Sequence, residues 1–384
     1  MRLCFTRWLR RESRHWMNIL LLSDDMQLGG VPRHVVDLAN GLAEHGHGVI
    51  VCASDGPSRA LLNSRVRFVA LQLLQTGTYR KQWLGPTKAF PRLVSLVRRE
   101  DIDVIHSHKR FTDLLGRAVA LSLNRPHVST CHNTFDDFYR LSVFGHQTIA
   151  CSKSIEEMLI RRFHKKPESV SVVYVGLKHQ ADVSEAEQAR MRSQLDIGAT
   201  DRVICSIGHL SRAKDRSTLL RAVARLNEQN ALQRVVCVIV GDGEEEQALK
   251  EYVRNRRLEE RVRLLPGSTD VATVMKISEF AVLSSVQEGI PYVLLEAAWF
   301  AKAHVATDVG GVKEFVEPGV TGILVPPRDP EALATAIRQL IESPDKAREL
   351  GANARERCLV QHSYDTFLRS VVEVYEKSMQ SRRQ

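Results

Sequence analysis

Two carboxylates, Glu288 and Glu296, bracket a turn in which Gly289 and Pro291 prepare the chain to enter a helix. Proline lacks an N–H and has φ fixed near the helical value, so Pro291 is predicted at the first helical position. Gly289 leaves the preceding loop free to approach a ligand, and backbone amides with the positive helix end would face whatever binds there. An anion is the guest this arrangement suits. Glu296 would lie about 7.5 Å along the helix axis, where a carboxylate can accept hydrogen bonds from vicinal hydroxyls. A phosphate beside a diol describes a nucleotide sugar.

An exposed helix start would also carry such acids without any ligand. The surrounding text is more specific: Ser284-Ser-Val-Gln-Glu-Gly-Ile-Pro291, Thr307-Asp-Val-Gly-Gly-Val-Lys-Glu314 and Gly319-Val-Thr-Gly-Ile-Leu-Val-Pro-Pro327. On these segments the chain resembles the group 1 glycosyltransferases, also called family 4, from about Met17 to the C-terminus. The resemblance implies a GT-B fold of two facing, doubly wound Rossmann-like domains with an interdomain cleft. It also implies transfer of a sugar, with retention, from a nucleoside-diphosphate donor to an acceptor hydroxyl. In that reading Glu288 lies near hydroxyls of the transferred sugar and Glu296 on the ribose. Amides of Gly289, Ile290 and Tyr292 would line the phosphate and sugar region; Pro291 cannot donate.

Other candidate residues follow from further motifs. Gln27-Leu-Gly-Gly-Val-Pro-Arg-His34 leads into a helix predicted to open at Pro32. Gly29 and Gly30 there permit either a close backbone approach to phosphate or simply a tight turn; the resemblance places the loop against donor diphosphate and acceptor. In Gly208-His-Leu-Ser-Arg-Ala-Lys-Asp215, relatives usually carry arginine after the glycine and lysine five residues later, as a clamp on the donor phosphates. Lys214 matches, whereas His209 replaces the arginine. Arginine is always charged and grips phosphate through a fork, while histidine is mostly neutral at pH 7 unless phosphate raises its pKa. Arg212 stands nearby as another source of charge.

His132, in Ser129-Thr-Cys-His-Asn-Thr134, ends a predicted strand, and the resemblance places it close to the transferred sugar. His106 and His108 share a strand face and mimic a metal pair. No further ligand pattern accompanies them, so they are read as structural or acceptor-side. Asp101 and Asp103 precede a buried strand and are read as solvated carboxylates, not a chelate. No metal and no cofactor are expected: positive side chains and helix ends would do the work of a divalent cation. Pro266–Asp270 is a candidate lid over the base, and Gly241 and Gly243 read as turn glycines.

Composition sets the wider frame. A chain of 384 residues exceeds what one core usually supports, and 43% apolar content is ordinary for a globular protein. No run approaches the ~18 apolar residues of a membrane span. Seven scattered cysteines form no CxxC pair, which fits a reducing cytoplasm. The net charge of +9 is partly local, since residues 1–16 hold five arginines against Glu12. That segment reads equally as a start-site artefact or, with Leu3, Phe5, Trp8, Leu9 and Trp16, as an attachment to an anionic membrane surface. No nucleic-acid module is present. The expected partners are a UDP-, GDP- or ADP-sugar and a glycan or lipid-linked acceptor of the cell envelope, handled in the cytoplasm or at the inner membrane face.

Apolar runs alternate with amphipathic stretches, as in parallel sheets with crossover helices. Strands are predicted at 18–23, 48–53, 66–71, 103–106, 127–131, 147–151 and 170–174. After a polar stretch at 176–200 the pattern restarts with 202–207, 235–240, 262–265, 280–283, 304–306 and 322–325. The domains are therefore read as 17–180 and 181–363, after a basic extension 1–16. The resemblance further implies that a last helix, 364–378, returns to the N-terminal domain. Rival readings are an epimerase on the same fold and a non-catalytic sugar-nucleotide-binding protein. A dehydrogenase fits less well, because the first glycine loop lacks GxGxxG spacing.

Overall fold

The computed structural model describes residues 16–71, 84–135, 142–232, 234–289 and 291–380, and only the backbone of 84–88. The arginine-rich segment before Trp16 and Ile290 lie outside the described residues. The chain divides into two compact units, and Ser152–Ser154 and Tyr174–Tyr364 form the second.

Unit 1 contains β1 (Asn18–Asp25), α1 (Gly30–Glu44), β2 (Gly48–Ser54), β3 (Val66–Ala70), α2 (Leu84–Arg99), β4 (Val104–Ser107), α3 (Arg110–Leu123), β5 (His127–Cys131), β6 (Gln147–Ala150), α4 (Lys153–Arg161, from Ile155 onward) and β7 (Val170–Val172). Its sheet runs β3-β2-β1-β4-β5-β6-β7, with every pairing parallel. Ile19, Leu20, Leu21 and Leu22 are all buried, as expected of a strand covered by helices on both faces.

Unit 2 contains α5 (Glu185–Gln194), β8 (Arg202–Ile207), α6 (Arg216–Glu228), β9 (Val235–Val240), α7 (Glu246–Asn255), β10 (Val262–Leu265), α8 (Val271–Ile277), β11 (Phe280–Leu283), α9 (Tyr292–Trp299), β12 (Ala303–Thr307), α10 (Val312–Phe315), β13 (Gly322–Val325), α11 (Pro330–Glu342) and α12 (Pro344–Gln361). Its parallel sheet runs β10-β9-β8-β11-β12-β13, the doubly wound order with a switch point beside the first strand. Alternate residues serve opposite faces: Ile204 packs with Leu219, Phe280 and Ile337, while Val203 and Cys205 pack with Val274, Met275 and Ala297.

The last helix, α13 (Tyr364–Gln380), belongs to unit 1 from Asp365 onward. Phe367, Leu368, Val371, Val374 and Tyr375 make its buried stripe at helical spacing. The chain leaves unit 1 at Val173, seven residues before the boundary read from the sequence at 180. Tyr174 already belongs to unit 2, where its hydroxyl donates to Glu314 at 3.0 Å and the Val175 carbonyl meets His362 Nδ1 at 2.7 Å. The polar stretch that follows is a capped surface helix, α5, whose Ser184 and Glu187 form a capping box.

Candidate active site

In both sheets the motif residues sit at the carboxyl ends of strands next to the switch point, where open α/β sheets bind ligands. In unit 2 these are the loops after β8 and β11. Beyond Ile207 the chain passes through Gly208 to a 3-10 turn, Arg212–Lys214. Asp215 then takes a left-handed conformation and caps α6 by accepting from the Thr218 N–H.

Arg216, in the first turn of α6, is 1% exposed. Its Nη2 donates to the Ile207 carbonyl at 3.0 Å and its Nη1 to the Lys214 carbonyl at 3.3 Å, so one guanidinium ties both ends of the loop. Burial draws its pKa down to about 10, against the pull of the Glu288 carboxylate. Gly241 and Gly243 close the loop from the other side: a Cβ there would stand 2.1 Å from the Gly208 carbonyl oxygen and 2.3 Å from that of Leu210. These two glycines are architectural.

Lys214 Nζ lies 2.5 Å from Glu288 Oε1, which also accepts from Ser285 Oγ at 2.6 Å. Glu288 is 3% exposed, and that lysine and hydroxyl are polar partners a buried carboxylate requires. Thr307 Oγ1 donates to the Ser285 carbonyl at 2.5 Å. At Gly310, with φ near 50°, a Cβ would fall 1.8 Å from the Glu288 carbonyl oxygen; at Gly311 it would fall 2.6 Å from that of Gly289. The Gly-Gly pair in the 307–314 motif therefore buttresses the Glu288 loop. Its sequence signal was the doublet itself, but the partner it touches is visible only in the fold.

Pro291 is the N-cap of α9, with φ −74° and ψ 125°, and not its first helical residue. The extended ψ lets its carbonyl accept from the Leu294 N–H at 3.1 Å and leaves Tyr292 to begin the helix. Glu296 is half-buried one turn further on, between the buried pairs Leu294–Leu295 and Ala297–Ala298. Gly289 is buried and Tyr292 half-buried at this end.

The other two basic candidates point elsewhere. His209 Nε2 lies 3.4 Å from Glu244, and Arg212, its side chain 92% exposed, lies 3.6 Å from Glu245. Such exposed pairs contribute little. Pro266–Asp270, read as a lid, is pinned: the Gly267 N–H donates to Asp242 at 2.9 Å and Asp270 caps α8.

In unit 1 the loop after β1 brings exposed Gly29 and Gly30 to the start of α1. That helix opens at Gly30, two residues before Pro32. A Cβ on Gly30 would meet nothing within 4 Å, so the protein's own packing does not require glycine there. Below this loop, His34 from α1, His108 after β4 and His132 after β5 converge. His34 lies edge-on to His132 with ring centroids 4.7 Å apart, and His108 Nδ1 is 3.4 Å from His132 Nε2. Burial pushes His34 down to about 3 and holds His108 and His132 well below the usual imidazole range, so all three are neutral at pH 7.

Sequence reasoning missed His34 as a member of this group, although four residues from Gly30 put it on the helix's buried face. His106 is engaged on both sides, its Nδ1 2.7 Å from Tyr375 OH and its Nε2 2.7 Å from Thr130 Oγ1. Asp101 and Asp103 stand at the opposite, amino ends of the strands. Asp103 accepts from the Asn18 N–H at 2.8 Å, and Asp101 pairs with Arg125 at 3.1 Å.

Comparison with known proteins bears on this arrangement. Residues 187–357 match the family described as glycosyl transferases group 1, and residues 28–180 match Glycosyltransferase Family 4. The chain belongs to the group 1 glycosyltransferases. Among curated relatives, the alpha-maltose-1-phosphate synthase of Mycolicibacterium smegmatis is 28% identical, over 72% of this chain and 80% of the relative. The UDP-Gal:alpha-D-GlcNAc-diphosphoundecaprenol alpha-1,3-galactosyltransferase of Escherichia coli is 25% identical, over 75% of this chain and 78% of the relative. Anabaena Alr3699/HepE, solved with UDP-glucose, superposes with a TM-score of 0.82 at 24% identity, covering 94% of this chain and 100% of that one.

The fold of this glycosyltransferase is GT-B, with two parallel-sheet α/β units. It is a transferase that acts on nucleotide-sugar donors. No helix among the described residues is long and apolar enough to cross a membrane.

Proposed function

We propose that this glycosyltransferase moves a hexose, with retention of configuration, from a nucleoside-diphosphate donor to a hydroxyl of a cell-envelope glycan or lipid-linked saccharide. The observation that carries the reading is the Lys214–Glu288 pair at 2.5 Å, held at the start of α9 and buried on the carboxylate side. Lys214 is the cation for the departing diphosphate, and Glu288, released from part of that contact, accepts hydrogen bonds from hydroxyls of the sugar. Amides of Gly289 and Tyr292 join them, and Glu296 takes the ribose diol. Preorganised charge of this kind acts where negative charge grows, on the leaving nucleotide. Neutral His132 is assigned to the substrate sugar, with Gly29 and Gly30 leaving room for bound groups at the end of α1.

UDP-sugars are the first donors to try, since the E. coli galactosyltransferase is named for one and the Anabaena protein was solved with another. Thermal shift with UDP-, GDP- and ADP-sugars reports which base is held, because a ligand bound only to the folded form raises Tm. Lys214→Ala should abolish that shift or cut transfer by about 10²-fold or more; near-normal turnover would remove the residue from the mechanism. The charge on the diphosphate is assigned to side chains and amides, so chelating Mg2+ and Mn2+ should leave transfer unchanged.

A further inference from the structure

We propose that His34, His108 and His132 form a site for one zinc-class divalent ion. The three imidazoles come from three separate elements, α1, the end of β4 and the end of β5, and one nitrogen of each lies within 4.8 Å of the others.

Two distances match coordination. Zinc–imidazole bonds of about 2.0–2.1 Å at a tetrahedral angle put two ligand nitrogens about 3.3 Å apart and two ring centroids about 5.2 Å apart. His108 Nδ1 and His132 Nε2 are 3.4 Å apart, and the three centroid separations are 4.7, 5.4 and 5.6 Å. Closing the widest nitrogen separation, up to 4.8 Å, to about 3.3 Å takes up to about 1.5 Å of ring movement.

The surroundings agree. His132 Nδ1 has Cys151 Sγ at 3.7 Å, a neighbour that can fix its tautomer and leave Nε2 to the metal. His106, the remaining ring of the cluster, is excluded because both its nitrogens are already engaged by hydroxyls.

An all-imidazole set suits zinc, copper or nickel and not magnesium or manganese, which prefer oxygen. The site is therefore no substitute for a phosphate-bound cation. Three protein ligands leave a fourth position open for water, and His132 keeps partial exposure through which an ion can enter. With Nε2 on the metal and Nδ1 beside Cys151, His132 has no nitrogen left for a hydroxyl, so a loaded site excludes the sugar role given to it.

The test uses the full chain, stripped with chelator and titrated with Zn2+ by calorimetry, and with Co2+ by visible absorption. One equivalent of Zn2+, the intense visible bands of tetrahedral Co2+, and loss of both in His34→Gln and in His108→Gln are the expected results. His179→Gln, an exposed histidine of unit 2, should keep the full equivalent. Absence of binding by the wild-type chain, or undiminished stoichiometry in both cluster variants, overturns the site. Should a variant fail to fold, the wild-type Co2+ spectrum still decides: octahedral bands, or none, count against it.

Discussion

The two units place different chemistry at the carboxyl ends of their separate parallel sheets. Unit 2 presents charge, with Lys214 against buried Glu288 and the guanidinium of Arg216 sealed beneath them. Unit 1 presents neutral rings, three histidines from which burial has removed the proton. Under the proposed function, the fixed charge of unit 2 is assigned to the departing diphosphate and the neutral rings of unit 1 to substrate hydroxyls.

That contrast can be broken most directly by deleting one group from each side. Glu288→Gln and Lys214→Ala should each lower transfer by about 10²-fold or more, whereas His132→Gln should cost roughly ten-fold, the worth of one neutral hydrogen bond. Equal losses in steady-state kinetics would erase the distinction. Arg216→Met should destabilise unit 2 by about 1–3 kcal/mol, since it takes the guanidinium donor from the Ile207 carbonyl and leaves the Lys214 carbonyl to Ser284 Oγ alone. Urea melts followed by a reporter in that unit would measure it, and an unchanged midpoint would reduce the buried guanidinium to a bystander. Gly310→Ala adds a Cβ against the Glu288 carbonyl at positive φ, and should cost about 1–3 kcal/mol together with part of the activity.

A pH series sharpens the comparison further. His34, His106, His108 and His132 have folded pKa values below 6.5, so below about pH 6.5 the unfolded chain takes up protons that the folded chain refuses. Stability is lost as pH falls. In the same unit Asp113, raised to about 8, and Asp24, raised to about 6, act with the opposite sign, because the folded state keeps protons that the unfolded state has released. Asp113→Asn should therefore steepen the acid loss by about 1.4 kcal/mol per pH unit between pH 5 and 6. Melts across that range showing the wild-type slope would contradict the assignment. The smallest effect is expected from Arg212→Ala, whose exposed contact with Glu245 should change donor affinity by less than about three-fold.

Much of this was legible beforehand. The thirteen strands of the described residues fall within two residues of their predicted bounds, because a parallel sheet buries its strands on both faces and writes them as unbroken apolar runs. The Glu288 motif was legible for a related reason: an acid, a glycine and a proline at a helix entry leave few conformations open. What escaped was contact across long sequence separations. Nothing local says that Arg216 turns back under its own loop, that Gly310 faces the Glu288 carbonyl, or that His34 joins two histidines from other strands. The replacement of arginine by His209 was visible, but its consequence was not: the side chain leans to Glu244, and the buried cation of the loop is Arg216.

The return of α13 to unit 1 constrains the order of events during synthesis. His106 finds Tyr375 OH and His34 finds the Phe367 ring only once the final helix has emerged from the ribosome, long after β1 to β7. Unit 2 is encoded in between, so all of its strands are translated before α13 is. The half of the molecule translated earliest is thus finished last, and until then its apolar seat for α13 is open to chaperones.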